Sequence, residues 1–129
     1  MQESGAMKEQ TVLVIDDNEL NVKLVRGLLK IKMVRVIEAL DAETGIQLAR
    51  ENHPQLILMD IQLPGMDGLQ ATELIKKDPE LQAIPVIALT SYAMRGDKEK
   101  ALNAGCSDYI SKPIDTQAFL SQVDQYISG

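Results

Sequence analysis

Short apolar runs alternate with longer amphipathic stretches five times along this chain. No Gly/Ser/Pro-rich linker separates them. Such an alternation is typical of βα repeats built around a parallel sheet. We therefore predict strands near residues 11–15, 34–38, 55–59, 84–89 and 107–110, and helices near residues 18–31, 42–51, 68–77, 93–104 and 116–127.

The third and fourth predicted strands are almost uninterruptedly apolar, in the runs Leu56–Met59 and Ile84–Leu89. Continuous apolar strands are expected where helices cover both faces of a sheet. The pattern therefore predicts an α/β fold with a doubly wound, five-stranded parallel sheet.

Side-chain oxygens that can cap a helix precede four of the predicted helices, and Asp67 with Gln70 fits a capping box. The capping candidates are Asn18, Asp41, Asp67 and Asp115.

The first predicted helix carries an apolar arc wider than one sheet face needs. The arc contains Leu20, Leu24, Val25, Leu28, Leu29 and Ile31, with Val22 at one edge. Two interpretations stay open: scattered apolar residues are normal at a surface, or the rim docks a partner helix.

The fourth predicted helix is mostly polar, which suits either an element that shifts or an ordinary exposed helix. The last helix has a core stripe of Phe119, Leu120, Val123 and Ile127.

The length of 129 residues fits one domain. Residues 1–10 show no apolar periodicity, and we interpret them as a disordered tail or a cloning remnant ahead of a domain over residues 11–129. The net charge of −6 and the lack of a Lys/Arg cluster argue against nucleic-acid binding. The single cysteine, Cys106, is expected to be buried and indicates a reducing cytosol. No apolar stretch approaches the roughly 18 residues of a membrane span, so we expect a cytoplasmic protein without membrane insertion.

Polar residues that can support chemistry follow four of the apolar runs. Asp16 and Asp17 end the first run, Asp60 the third and Thr90 the fourth, while Lys112 follows the fifth. The carboxyl ends of parallel strands open onto one edge of a sheet, where open α/β sheets bind their ligands. Three carboxylates, a hydroxyl and an ammonium at one edge indicate metal-assisted phosphoryl chemistry. Their net charge of −2 suits one Mg²⁺, which prefers oxygen ligands.

Four longer segments carry a resemblance to a known family. They are Val14–Asn18, Leu58–Gly68, Ala88–Met94 and Gly105–Ile114. In order and spacing these segments resemble the receiver domain of two-component response regulators. Their amino-acid sequences are similar to those of single-domain regulators of the cell-cycle type and of the receivers of hybrid histidine kinases. The resemblance implies a flavodoxin-like sheet with strand order 2-1-3-4-5. One departure is the stretch Ile31–Arg35, which lacks the glycine that the family usually has there.

The resemblance also implies a role for each site residue. Asp60 is the expected phosphoacceptor, and Asp17, Asp60 and the Gln62 backbone carbonyl are expected to bind Mg²⁺ directly, with Asp16 acting through water. Lys112 would pair with phosphoryl oxygens, and its peptide bond to Pro113 is expected to be cis.

The resemblance further implies that signal output depends on the coupled movement of two residues. Thr90 would be drawn toward the phosphate and Tyr109 would rotate into the vacated space. Gln62 and Tyr92 would tune the access of water. The expected donor is a phosphohistidine of a histidine kinase or a histidine phosphotransfer protein, and a downstream protein would bind the face formed by helix four, strand five and helix five. The only histidine of the chain itself, His53, is expected at the surface, away from the strand ends.

The leading interpretation is therefore a phosphoacceptor signalling module, a regulator that assists its own phosphorylation and dephosphorylation rather than an enzyme. One alternative is a scaffold that uses the same surface without phosphorylation. A less favoured one is a Mg²⁺-dependent hydrolase with an aspartyl-phosphate intermediate. Such hydrolases usually carry a second acid two residues after the nucleophile, where this chain has Gln62.

Overall fold

The computed structural model describes residues 10–90 and 96–127. Strands and helices alternate throughout this part of the chain, as the apolar pattern predicts. The strands are β1 (Thr11–Ile15), β2 (Arg35–Ala39), β3 (Leu56–Asp60), β4 (Val86–Thr90) and β5 (Asp108–Ser111). The helices are α1 (Glu19–Lys30), α2 (Ala42–Asn52), α3 (Gly68–Lys77), α4 (Asp97–Ala104) and α5 (Thr116–Asp124).

The five strands form one parallel sheet in the order β2-β1-β3-β4-β5. This order confirms the predicted fold. Alternate residues of each central strand enter different cores: Leu13 and Ile15 pack with α2, α3 and α4, whereas Val12 and Val14 pack with α1 and α5. Helices thus cover both faces, which explains why the central strands are continuously apolar.

The predicted caps are present at four helices. Asn18 accepts backbone N–H bonds from Leu20 and Asn21 in α1, and Asp67 and Gln70 form a complete capping box at α3. Asp41 and Asp115 cap α2 and α5 in the same way. These side chains fix where each helix leaves the edge of the sheet, because they satisfy amide donors that lack partners within the helix.

Several predicted boundaries were wrong. The fourth strand begins at Val86 rather than residue 84, because Ile84 donates its N–H to Leu81 in a turn and Pro85 follows. The last helix ends at Asp124 rather than residue 127, since Gln125 and Tyr126 make turn bonds to the carbonyls three residues earlier. Gly96, with φ 94°, lies ahead of α4, so no helix runs through it, and residues 93–95 lie outside the described part of the chain.

The structure also corrects the apolar arc of the first helix. Val22 is buried rather than at the edge of the arc, whereas Leu20, Leu24 and Ile31 are 76%, 44% and 63% exposed. In the loop after α1, where the family usually has a glycine, Met33 adopts a left-handed conformation with φ 58°.

Across residues 10–90 and 96–127, none of the helices is long and apolar enough to cross a membrane.

Candidate functional site

The sheet brings the predicted strand-end residues to one edge. Asp16 and Asp17 follow β1, Asp60 is the last residue of β3, Thr90 is the last residue of β4, and Lys112 directly follows β5. Since β1, β3, β4 and β5 are adjacent and parallel, all five residues lie at the carboxyl end of the sheet.

An acidic cluster with one ammonium group forms the centre of this edge. Lys112 Nζ lies 2.9 Å from Asp16 Oδ2 and 3.2 Å from Asp60 Oδ2. One carboxylate oxygen each from Asp16, Asp17 and Asp60 lies within 4.8 Å of the other two. Asp16 and Asp60 are buried, at 0% and 5% exposure, whereas Asp17 is exposed. The cluster is therefore enclosed by protein on one side and open to solvent at Asp17.

The electrostatics of the cluster follow from three neighbouring acids, two of which share the ammonium group of Lys112. Burial raises the pKa of Asp60 to about 6, helped by the charge of Asp16, although the Gln62 N–H bond and the charge of Lys112 act in the opposite direction. For Lys112, burial alone would lower the pKa, but the hydrogen bond to Asp16 and the charges of Asp60 and Asp16 together raise it. The site thus holds more negative charge than its lysine neutralises, which is a suitable environment for a divalent cation.

The loops that carry the acids are held by hydrogen bonds from their own backbone. Asn18 N–H donates to Asp16 Oδ1, and Gln62 N–H donates to Asp60 Oδ1, each at 2.9 Å. Both contacts join a side chain to the amide two residues on, a turn that orients the carboxylate. Gln62 itself is exposed, with its backbone beside Asp60.

A close approach behind Asp60 was not predicted. The Gly68 N–H donates to the Ile61 carbonyl at 2.8 Å, and a Cβ atom at Gly68 would overlap the Asp60 carbonyl oxygen. The capping box at Asp67 indicated that a helix begins here, but it carried no signal that the helix start packs against the β3 backbone. Gly68 therefore allows the start of α3 to contact the residue at the centre of the site.

Thr90 and Tyr109 lie on neighbouring strands. Thr90 is buried, and its carbonyl accepts the Lys112 N–H at 2.7 Å. Tyr109 is half-buried and packs against the core under α2, α3 and α4. The Lys112–Pro113 bond is cis, as expected. Asp16, Asp17, Asp60 and Lys112 are thus together, and Thr90 ends the strand between those of Asp60 and Lys112, whereas Tyr92 lies outside the described residues.

Two single-copy residues lie away from this edge. His53 is exposed at the C-terminal end of α2, with a left-handed φ of 46°. Cys106 is buried, and its Sγ lies 3.8 Å from Thr72 Oγ1. Both placements agree with the expectations from sequence, and neither residue joins the acidic cluster.

Comparison with known proteins decides the family. The model of the response regulator receiver domain matches residues 12–124. The chain belongs to this family. It is 46% identical over 118 residues to the polar-differentiation response regulator DivK of Brucella ovis, an alignment that covers 92% of this chain and 96% of that protein. This chain is therefore a receiver domain of two-component signalling.

Two solved structures are similar to this receiver domain. One is the receiver domain of the sensor histidine kinase PA1611 from Pseudomonas aeruginosa, with a magnesium ion in its active-site cleft (31% identity, TM-score 0.85, 95% of this chain and 100% of that chain). The other is the receiver domain of Ssk1 from Saccharomyces cerevisiae in complex with the histidine phosphotransfer protein Ypd1 (26% identity, TM-score 0.82, 92% of this chain and 88% of that chain).

Proposed function

We propose that this receiver accepts a phosphoryl group on Asp60 from the phosphohistidine of a histidine kinase or a histidine phosphotransfer protein, and that acceptance changes its protein-binding surface. One observation carries the proposal. The Asp60 carboxylate is buried at the end of β3, 3.2 Å from the Lys112 ammonium, with oxygens of Asp16 and Asp17 within 4.8 Å. That arrangement supplies a nucleophile and a cation beside a group of metal-binding oxygens.

The acidic group fits a magnesium ion. Asp17, Asp60 and the Gln62 carbonyl would hold it directly and Asp16 through water, because Mg²⁺ takes oxygen ligands and retains several waters. The PA1611 receiver, described with magnesium in its cleft, supports this assignment. When bound, the ion would neutralise charge on the carboxylates and on the phosphoryl oxygens.

Asp60 and its neighbours would carry out the transfer. A carboxylate oxygen of Asp60 attacks phosphorus as the phosphorus–nitrogen bond of the donor breaks, and the electron pair of that bond remains on the imidazole nitrogen. Lys112, which already contacts Asp60 Oδ2, would pair with a phosphoryl oxygen. The Thr90 hydroxyl would donate to another. Little covalent chemistry beyond this is needed, since positioning and charge neutralisation dominate phosphoryl transfer.

The response would pass through Thr90 and Tyr109. A phosphoryl group carries a charge of about −1.5 to −2 at neutral pH, so it changes the field at the site edge. Movement of Thr90 toward it would leave space for the half-buried Tyr109 ring. The surface formed by α4, β5 and α5 would then bind the downstream protein.

The exposed apolar rim of α1 favours the docking interpretation. Leu20 of α1 and Leu40, which directly follows β2, line a groove of about 400 Å³. Leu40 follows Ala39, whose carbonyl accepts the Asp16 N–H at 3.1 Å. Glu19, two residues after Asp17 in the chain, also lines this groove. A partner helix bound there would present its phosphohistidine toward Asp60. Ypd1 bound to the Ssk1 receiver is an example of such a partner class.

Labelling by the small phosphodonor acetyl phosphate tests the proposal. We expect the intact protein to gain one phosphoryl group in Mg²⁺, to gain almost none in EDTA, and to gain little in Ca²⁺, whose longer bonds misplace the oxygens. Asp17→Asn should suppress labelling in the same way as EDTA.

The alternatives give different results in the same samples. A phosphorylation-independent scaffold would show no mass gain under any condition. A hydrolase would release phosphate rapidly over many turnovers without accumulating the phosphorylated form. Full labelling in a chelated sample would contradict the magnesium site.

A further inference from the structure

The backbone of Tyr109 is held by two side chains. Gln122 Nε2, from α5, lies 3.3 Å from the Tyr109 carbonyl oxygen and donates to it. The Tyr109 N–H donates to Asp108 Oδ1 at 2.8 Å. β5 is an edge strand of the sheet, where backbone groups need partners from outside the ladder. Gln122 therefore ties this edge to α5.

The Tyr109 ring and α5 lie on opposite faces of the sheet. The Tyr109 side chain packs against the core under α2, α3 and α4, whereas α5 packs on the opposite face through Phe119 and Val123. The Tyr109 ring therefore lies on the face opposite the buried side of α5. The carbonyl bond from Gln122 joins this residue to the helix through the backbone.

The C-terminal end of α5 is anchored separately. Tyr126, just beyond α5, is half-buried and packs against the core under α1 and α5. The end of α5 is in turn fixed by the 2.7 Å ion pair of Asp124 with Lys32, in the loop after α1. These contacts hold the end of α5 toward α1, whereas the Gln122 bond joins the helix to β5.

We propose that Gln122 is a positioning residue that transmits a change at Tyr109 to α5. This inference rests on the proposed function, because Tyr109 is expected to respond only when a phosphoryl group occupies the site. On this proposal, repacking around the Tyr109 ring displaces the β5 backbone at this residue, and the Gln122 amide follows the carbonyl through the 3.3 Å hydrogen bond that joins them. α5 then reports the state of Asp60.

Backbone amide shifts measured by NMR with Mg²⁺ and beryllofluoride, a phosphoryl mimic, test this coupling. Gln122→Leu removes the donor, and Gln117→Leu is the matched control on the exposed side of the same helix. We expect the native protein and Gln117→Leu to show shifts at Asp60, Thr90 and residues 118–124. In Gln122→Leu the shifts at Asp60 and Thr90 should persist, while those over residues 118–124 fall at least twofold.

The amide-shift change over residues 118–124, divided by the change at Asp60 and Thr90, separates transmission from a merely structural role. A variant that is only less stable would lose thermal stability but keep this ratio. If Gln122→Leu does not fold, Gln122→Glu, which keeps the shape and loses the donor, carries the same criterion. An undiminished α5 response in a folded Gln122 variant, or no α5 response in the native protein, would overturn the inference. Absence of shifts at Asp60 itself in the native protein would instead overturn the proposed function.

Discussion

At the scale of single residues, the site is defined by an excess of buried negative charge. Asp16 and Asp60 are both buried and share the ammonium of Lys112. A buried charge that is incompletely paired destabilises the fold. The acidic cluster is thus maintained at a cost in stability, and the raised pKa of Asp60 expresses that cost.

Asp60→Asn should therefore stabilise the metal-free protein at neutral pH. The pKa of Asp60 rises from 3.8 to about 6 on folding, so the folded state favours the protonated acid. The resulting penalty is absent below about pH 4, grows as the pH rises toward 6, and is complete above it. We expect the variant to exceed the native protein in free energy of unfolding by about 1–2 kcal/mol at pH 7.5 in EDTA.

Urea denaturation at pH 7.5 and at pH 4 would measure this difference. The two proteins should converge at pH 4, and added Mg²⁺ should stabilise the native protein more than the variant, because binding to the folded state adds to its stability. Equal stabilities at pH 7.5 in EDTA would show that Asp60 is not penalised.

The strand-end residues could be predicted from sequence because one rule places them. Once Asp16, Asp60 and Lys112 were assigned to the ends of parallel strands, their proximity followed from the sheet. The contacts of Gly68 with the Asp60 backbone and of Gln122 with the Tyr109 carbonyl could not be predicted in this way. They depend on the path of a loop and on the rotation of a helix, which no local pattern specifies.

At the scale of elements, two glycines at helix positions have opposite roles. Gly68 begins α3 against the backbone of Asp60, and a Cβ there would overlap the Asp60 carbonyl. Gly27 lies within α1, is exposed, and would have no atom within 4 Å of an added Cβ. The first is required by packing, whereas the second only weakens its helix.

Alanine at these two positions should therefore shift stability in opposite directions. Gly68→Ala should destabilise the fold by roughly 1–3 kcal/mol, because the backbone must move to admit a methyl group. Gly27→Ala should stabilise it by about 0.5–1 kcal/mol through helix propensity. Thermal unfolding of both variants beside the native protein measures the two effects, and a neutral Gly68→Ala would refute the close approach.

The element boundaries show where hydrophobic patterns lose information. Periodicity located all five strands, but Ile84, an apolar residue before Pro85, belongs to a turn. In α1 the pattern could not separate buried Val22 from exposed Leu20, since both are apolar and the helix presents a wide arc. α4 buries Ala101 and Ala104 while Leu102 is 41% exposed, which agrees with the few apolar residues in its sequence.

At the scale of the whole molecule, the fold assembles one site from distant parts of the chain. Lys112 is 96 residues from Asp16 and 52 from Asp60, yet it contacts both. Asp16 and Asp17 follow β1, Asp60 ends β3 and Lys112 follows β5, so three strands contribute to the site.

The identity of the phosphoacceptor is tested most directly by intact-protein mass measurement after incubation with acetyl phosphate and Mg²⁺. The native protein is compared with Asp60→Asn and with Asp41→Asn, a control that keeps a capping side chain at the start of α2. We predict one added phosphoryl group on the native protein and on Asp41→Asn, and none on Asp60→Asn. Equal labelling of Asp60→Asn and the native protein would contradict the account.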